Sequence, residues 1–342
     1  MTSLLDRLCE KHSLSFDEWC TLLASEEMFR EEARNRAEKL AVDHFKKQIF
    51  YRGIIEFSNY CKNDCYYCGL QKSNTTVSRF RLDPSEILEA AQKGYAVGVR
   101  TIVLQSGEDS AIHDSWLESL LEQLHHTFPD CALTLSLGER SKDSYARLFR
   151  AGATRYLLRH ETANPLLYQK VHGPKQLFWH RINCLYALKD IGYQTGCGMI
   201  VGLPGQRIED LACDFCFIQA FQPHMLGIGP FLPHHATPFA AEKAGRYEQC
   251  LYVLSLARLL LPRVHLPATT ALRSQSKDGL SLGILSGCNV VMPSLTPPCQ
   301  KKEYRLYDSP LDTKDIGERI QELSKAIEAI GYSLVCRKGD FA

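Results

Sequence analysis

Residues 51–69 read YRGIIEFSNYCKNDCYYCG, an apolar run of strand length that passes directly into a loop bearing Cys61, Cys65 and Cys68. The spacing is C-x3-C-x2-C, with an aromatic residue, Tyr67, just before the third cysteine. Three thiolates on one short loop can hold three irons of a cubane cluster. Iron–sulfur clusters ordinarily take four cysteines, so a set of three leaves one iron without a protein ligand. An open position on a metal is where a substrate binds. A structural zinc site would instead need four ligands in paired spacings. No second C-x2-C or H-x3-H stands nearby, and the next cysteine in sequence is Cys131.

Outward from this loop the chain alternates. Strand-length apolar runs stand at Tyr51–Phe57, Thr101–Gln105, Ala132–Leu137, Arg155–Leu158, Gly196–Gly202, Met225–Ile228, Val264–Pro267 and Asn289–Met292. Helical periods lie between them. One is Leu117, Leu120, Leu121, Leu124 and Phe128, opposed by Glu118, Glu122 and Gln123. Another opens at Asp83-Pro84-Ser85-Glu86, a capping residue, a proline at the first helical position and an acid at the third. Eight strand–helix units predict an α/β protein of the complete (β/α)8 TIM-like barrel type. A doubly wound sheet shares the alternation, but it normally carries a glycine fingerprint after its first strand, and here the cysteine loop takes that place. The expected organisation is a helical segment over 1–48, a barrel over 49–310, and an extension over 311–342 with a helix from Thr313 to Ile330.

The chain has 342 residues, 45% of them apolar, and a formal charge of +1. That balance gives no electrostatic case for nucleic acid or for an anionic membrane. No signal-peptide pattern opens the sequence, and Leu251–Pro262, the most apolar stretch, is too short to span a bilayer. Fourteen cysteines in such a chain point to a reducing cytoplasm, and an oxygen-sensitive cluster points to anaerobic conditions.

Barrel enzymes place their chemistry in loops at the carboxyl ends of strands, and those ends are polar here. Gln105-Ser-Gly-Glu-Asp109 follows the second strand, with Gly107 permitting close backbone approach. Ser136-Leu-Gly-Glu-Arg140 follows the third and Leu158-Arg-His-Glu-Thr162 the fourth. Arg159 and Glu161 share one strand face, so they either serve ligands or pair with each other. Met199-Ile-Val-Gly-Leu-Pro-Gly-Gln206 follows the fifth. His234 and His235 after the sixth are able to ligate a metal, although adjacent histidines in a proline-rich loop are more often surface residues. Ala268-Thr-Thr-Ala271 follows the seventh, and Tyr304 and Tyr307 lie beyond the eighth. Cys213 and Cys216 fall inside a helical pattern, where core packing is the expected use.

Together these segments resemble the radical S-adenosylmethionine (SAM) superfamily and, within it, the HydE family of [FeFe]-hydrogenase maturases. The matching stretches are IIEFSNYCKNDCYYCGL, TIVLQSGED, LTLSLGER, RYLLRHETANP, GMIVGLPGQ, GIGPFLPHHATP, LPATTA and NVVMPSLTPP, in order from 54 to 298. The resemblance implies a [4Fe–4S] cluster on Cys61, Cys65 and Cys68, and SAM held by Tyr67, Gln105, Ser106, Glu108, Ser136, Glu161, Arg181 and Met199. It implies a substrate cavity lined by Arg159, Thr269, Thr270, Ala271, Tyr304 and Tyr307. It also implies reductive cleavage of SAM to a 5′-deoxyadenosyl radical, with a small cysteine-bearing iron carbonyl/cyanide precursor as substrate. The implied partners are an electron donor such as ferredoxin or flavodoxin and the other hydrogenase maturases. One departure stands out. Many members carry extra cysteines near the C-terminus for an accessory cluster, and only Cys336 follows Cys299 here. The alternatives are a methylornithine synthase-like mutase, which also lacks that set, and a non-catalytic Fe–S scaffold. Biotin synthase fits less well, because Cys131 and Cys197 have no accompanying ligands for a second cluster inside the barrel.

Overall fold

The computed structural model describes residues 3–309 and 314–341. Three helices, Leu4–Lys11, Phe16–Ala24 and Glu26–Phe45, precede the first strand. Ser3 and Ser15 cap the first two with reciprocal side-chain bonds, which satisfy otherwise orphaned N–H groups. These helices do not stand apart. Trp19 stacks on Phe215 with ring centroids 4.3 Å apart, and Leu5, Leu8, Trp19 and Leu22 belong to the same core as the strands.

Among the described residues nine strands follow: β1 (Gln48–Tyr51), β2 (Gly53–Ser58), β3 (Thr101–Ser106), β4 (Ala132–Ser136), β5 (Ala153–Leu157), β6 (Gln194–Val201), β7 (Met225–Pro230), β8 (Val290–Val291) and β9 (Ser333–Val335). The second to seventh form one parallel sheet in chain order. Helices between them cover its outer face, as expected of parallel sheets. Pro84–Ala96 begins with the Asp83 capping box and Pro84 in its first turn. Asp114–Thr127 buries Leu117, Leu120, Leu121 and Leu124.

The expected ring of eight regular strands is found in part. Tyr51–Phe57 is broken at Arg52, so β1 leaves the main sheet and pairs with β8 and β9. Val264–Pro267 makes only single bridges, Met225 to His265 and Pro267 to Val290. Asn289–Met292 shortens to β8, and Ser294 bridges back to Ile54. Proline explains part of this, since Pro267 and Pro293 have no N–H to give a ladder. The last helix runs Ile316–Glu328. Thr313, its expected start, and the expected boundary at 310/311 lie outside the described residues.

The N-terminal ends of the strands are closed by the chain's own last residues. Lys338 O accepts from Thr101 Oγ1 (2.8 Å) and from both terminal nitrogens of Arg155 (3.1 Å each), and Asp340 pairs with Arg155 at 2.6 Å. Arg155 is fully buried. Beside it Arg52 donates to Gly339 O, and Phe341 N donates to Gln194 Oε1. The opposite end, at the carboxyl ends of the strands, carries the candidate site.

Candidate cofactor site

The cysteine loop leaves β2 and is tied down on every side by backbone bonds. Arg79 donates to the carbonyls of Leu70 (3.0 Å), Gln71 (2.7 Å) and Asn74 (3.1 Å). Tyr66 N donates to Val171 O and Gly69 N to Leu306 O, each at 2.9 Å. Gly107 packs so closely that a Cβ there would strike Tyr60 O and Cys61 Cβ. Such anchoring holds a loop in one geometry before its ligand arrives.

All three cysteines are free and partly buried. Burial pushes the Cys65 thiol up to about 12, and burial together with Cys65 and Cys61 pushes Cys68 well above its ordinary value. Such clustered thiols ionise when a metal takes the proton's place. A single zinc would need its sulfurs about 3.8 Å apart, given Zn–S near 2.3 Å in a tetrahedron. Among the described residues these three sulfurs do not converge within 4.8 Å of one another as a one-ion site. Three cysteines on one loop, with no fourth beside them in sequence, are the donor set of a cluster that keeps one iron open. A second observation agrees. Cys65 Sγ lies 3.3 Å from Gln176 Oε1, while Gln176 Nε2 is buried without a partner. Turning the amide over would aim that orphan N–H at a thiolate. The residues therefore fit a three-cysteine cluster.

Beside the loop lies a ring of charge. Arg181 Nε is 2.6 Å from Glu139 Oε1, and its Nη2 is 3.2 Å from Glu108 Oε1. Burial disfavours this guanidinium, but Tyr168, Glu139 and Glu108 more than offset that and hold it firmly protonated. Arg159 sits 3.1 Å from Glu161 Oε2 and donates to Met199 O at 2.7 Å. The two do pair, but Arg159 Nε remains buried without a partner. Glu161 has φ = 66°, and its backbone bridges to Met199. Ser106 and Ser136 end neighbouring strands, and Gln105, in register with Ser136, donates to Tyr304 OH at 3.2 Å. An open cavity of about 400 Å³ adjoins Glu108 and Glu139, bordered by Lys62 and Arg140.

Tyr67 is fixed from behind. His172 Nδ1 lies 2.9 Å from Tyr168 O and its Nε2 lies 2.9 Å from Tyr67 OH. The carbonyl takes the ring proton, so the phenol donates to Nε2. Burial lowers His172 to about 3, which keeps it neutral.

The candidate substrate residues divide. Thr269 Oγ1 is buried without a partner and faces Gly229, where a Cβ would come within 3.1 Å of it. Ala271 and Tyr304 are buried, and Tyr307 is half-buried and faces Arg159. Thr270 is solvent-exposed, because it opens the helix Thr270–Gln275, and it does not join that group. His234 is buried rather than at the surface. Its Nδ1 accepts from Ala236 N, which leaves the proton on Nε2, and His235 Nδ1 pairs with Asp308 at 2.8 Å. The trio is a clamp between two loops. Asp109 accepts from Arg81, Ser58 and Ala111 N, which leaves Glu108 as the inward-facing acid of that run. Cys213 and Cys216 are partly buried, and Cys131 and Cys197 are buried. Sequence reasoning assigned no role to Glu139, His172 or Gln176. Only the SLGE run hinted at the first.

An α/β protein with a parallel sheet and three cluster-type thiols after its first strand in that sheet is an iron–sulfur protein built on half or more of a barrel. The model of the Radical SAM superfamily matches residues 55–218. The chain is 42% identical over 279 residues, 82% of its length and 79% of the relative's, to the [FeFe] hydrogenase maturase subunit HydE of Thermotoga maritima. It is 28% identical over 343 residues, 99% and 95% of the two chains, to the 3-methylornithine synthase of Methanosarcina barkeri. The solved structure of methylornithine synthase aligns with a TM-score of 0.84 at 26% identity over 99% of both chains. That of HydG, a maturase of the [FeFe]-hydrogenase, aligns at 0.80 and 17% identity, over 98% of this chain and 77% of the other. The chain belongs to the radical SAM superfamily and, within it, to the HydE family. As such it binds a [4Fe–4S] cluster and SAM. Among the described residues no helix is long and apolar enough to cross a membrane.

Proposed function

We propose that this protein is a radical SAM enzyme of [FeFe]-hydrogenase maturation, working on a small cysteine-bearing iron carbonyl/cyanide precursor of the diiron subcluster. The observation that carries the reading is the anchored three-cysteine loop in a chain 42% identical to HydE across most of its length. When bound, the cluster and SAM supply a one-electron reductive cleavage that yields a 5′-deoxyadenosyl radical. The residues of the chain do the rest. Cys61, Cys65 and Cys68 hold three irons. Arg181, a delocalised cation between Glu108 and Glu139, orients the methionine carboxylate, and Glu108 accepts from the methionine amine. Glu161 offers its carboxylate to ribose hydroxyls. Gln105, Ser106 and Ser136 supply hydroxyl and amide contacts, and Tyr67 and Met199 pack against the bound nucleoside. Arg159, Thr269, Ala271, Tyr304 and Tyr307 face the substrate, with the unpartnered Arg159 Nε and Thr269 Oγ1 as donors toward an anionic ligand.

The single bridges through His265, Pro267 and Ser294 support a ring that closes around this interior, with residues 1–48 and 311–342 as extensions of it. A closed wall keeps water from a reactive intermediate. Fourteen cysteines without a disulfide pair among the described residues support a cytoplasmic location. The reading also requires a one-electron donor and contact with the other maturases.

The test is anaerobic. Reconstituted protein given dithionite and SAM is expected to release 5′-deoxyadenosine, whereas an Fe–S scaffold would release none. Adding the protein to an extract that lacks only its HydE should restore hydrogenase activity. A methylornithine synthase-like mutase, the reading favoured by the fold match at 26% identity, would leave the extract inactive.

A further inference from the structure

Past the carboxyl end of β5 the chain turns sharply, and the helix Ile208–Phe221 holds that turn from the side away from the charge ring. Side chains alternate along an extended run. Arg159 and Glu161 pair with each other, whereas His160 between them meets Asp214 and Phe217 on the helix. His160 Nε2 lies 3.2 Å from Asp214 Oδ1, and both side chains are fully buried. Its Nδ1 accepts from Gly198 N at 3.3 Å, which leaves the ring proton on Nε2, facing the carboxylate. The same Asp214 Oδ1 accepts from Ala163 N, and one helical turn earlier Asp210 accepts from Asn164 Nδ2. Asp214 therefore grips the chain one residue before Glu161 and two residues after it. Between those grips Glu161 sits at φ = 66°, its N–H bound to Gly198 O at 2.9 Å and its C=O to Ile200 N at 3.0 Å. A non-glycine residue keeps such a conformation only where its surroundings over-determine it. Asp214 Oδ2 has no hydrogen-bond partner among the described residues, so the buried acid is not there for its own comfort. An apolar residue would pack the helix against the sheet without that desolvation cost. What the carboxylate does accomplish is to fix the turn.

We propose that Asp214 and His160 are positioning residues for Glu161: together they lock its left-handed turn, so that the Glu161 carboxylate is aimed at the ribose of SAM before SAM arrives. The inference rests on the function proposed above and on the ribose assignment within it. Neither residue touches the ligand. β6 fixes the imidazole through Gly198 N, the imidazole and Ala163 N meet on one carboxylate oxygen, and the residue between them is not free to swing back to an extended backbone. A group set in place beforehand spares binding the cost of ordering it. Loss of the clamp should be felt as lost affinity for SAM rather than as a damaged cluster. The bonds that anchor the cysteine loop run to Leu70, Gln71, Asn74, Val171 and Leu306, and none of them passes through Asp214.

A double-mutant cycle on SAM affinity, measured anaerobically by isothermal titration of the reconstituted protein, tests it. Asp214→Ala should weaken SAM binding about tenfold, the scale of one well-placed hydrogen bond to a charged group. In a Glu161→Ala background the same substitution should cost less than about twofold, because the carboxylate it positions is already gone. Asp214→Asn keeps Oδ1 for both donors and should bind SAM nearly as the unsubstituted protein does. Should Asp214→Ala fail to fold, His160→Phe removes the same link and carries the same cycle with the same expectations. The electron paramagnetic resonance signal of the reduced, SAM-free cluster should be unchanged in every variant. Equal losses in the two backgrounds overturn the proposal, since Asp214 would then merely support the fold. Undiminished affinity in Asp214→Ala overturns it as well, and so does a shifted resonance signal. Undiminished affinity in Glu161→Ala alone would reject the ribose assignment and the purpose of the clamp with it. Failure of the proposed function is separate, since the unsubstituted protein would then release no 5′-deoxyadenosine.

Discussion

The two ends of the parallel sheet both hold arginines, and they treat them differently. At the N-terminal end of the strands, Arg155 is answered by Asp340, Lys338 O and Thr101 Oγ1, and Arg52 by Gly339 O. All but one of those partners are supplied by three consecutive residues, Lys338, Gly339 and Asp340. At the carboxyl end, Arg181 and Arg159 are answered by Glu139, Glu108 and Glu161, which come from three different loops. Donors such as Thr269 Oγ1 and Gln176 Nε2 there have no hydrogen-bond partner among the described residues. The first arrangement is a plug made of local chain. The second is a socket, assembled from the ends of many strands, that leaves hydrogen-bonding capacity for a visitor.

The contrast can be broken at either end. The largest effect is expected at the socket. Cys65→Ala should abolish 5′-deoxyadenosine release and lose the visible absorbance of the reconstituted cluster, while far-UV circular dichroism stays native. Next comes the plug. Ending the chain at Arg337 removes the Asp340 carboxylate and the carbonyls of Lys338 and Gly339, leaving Arg155 with Thr101 Oγ1 and Arg52 with Met225 Sδ, and a buried charge that loses its counter-charge typically costs about 3–5 kcal/mol. Urea unfolding should show that loss. Asp340→Asn should cost less, because Asp340 is itself 62% exposed and Lys338 O and Thr101 Oγ1 still meet the buried Arg155. A smaller change sharpens the comparison. Glu161→Gln should weaken SAM binding about tenfold to a hundredfold, the usual worth of a hydrogen bond to a charged group. The electron paramagnetic resonance signal of the reduced, SAM-free cluster should stay unchanged. If that signal shifted as well, Glu161 would be holding the loop rather than the ligand.

The smallest effect is a pH dependence. Burial alone would raise the Asp109 carboxyl, but hydrogen bonds from Arg81 and Ser58 bring it below its ordinary value. A carboxyl depressed in the folded state adds stability above its unfolded value, about 3.9, and loses it as the pH falls through the folded value. The stability gap between the protein and Asp109→Asn should therefore be constant above about pH 5 and close below about pH 4, as read by urea midpoints across that range.

Strands rich in Ile, Val and Leu were legible, as was the capping box at Asp83, because local pattern and local structure coincide there. The break at Arg52 was not legible, since it depends on β1 pairing with β9, whose residues lie nearly 300 positions away. The tail plug was invisible for the same reason, as Arg155 and Asp340 are 185 residues apart. Within the site, the three cysteines announce themselves by spacing alone. Glu161 stood out by its place at a strand end, but Arg181 could be singled out only through resemblance, because one arginine in a helix looks like any other until its neighbours are known. His172 and Gln176 gave no signal at all. They act from a loop far from the cysteines in sequence, and their chemistry lies in hydrogen bonds that composition does not encode.

Glu161 occupies the left-handed region at φ = 66°, a conformation that costs a non-glycine residue about 1–3 kcal/mol. Its N–H and C=O are spent on Gly198 and Ile200, so the backbone is not free to relax. A selection for thermal tolerance alone would therefore drift toward glycine at this position and yield a sturdier protein without the carboxylate proposed for the ribose hydroxyls. The strain at residue 161 is stability set aside at the place proposed for the ribose.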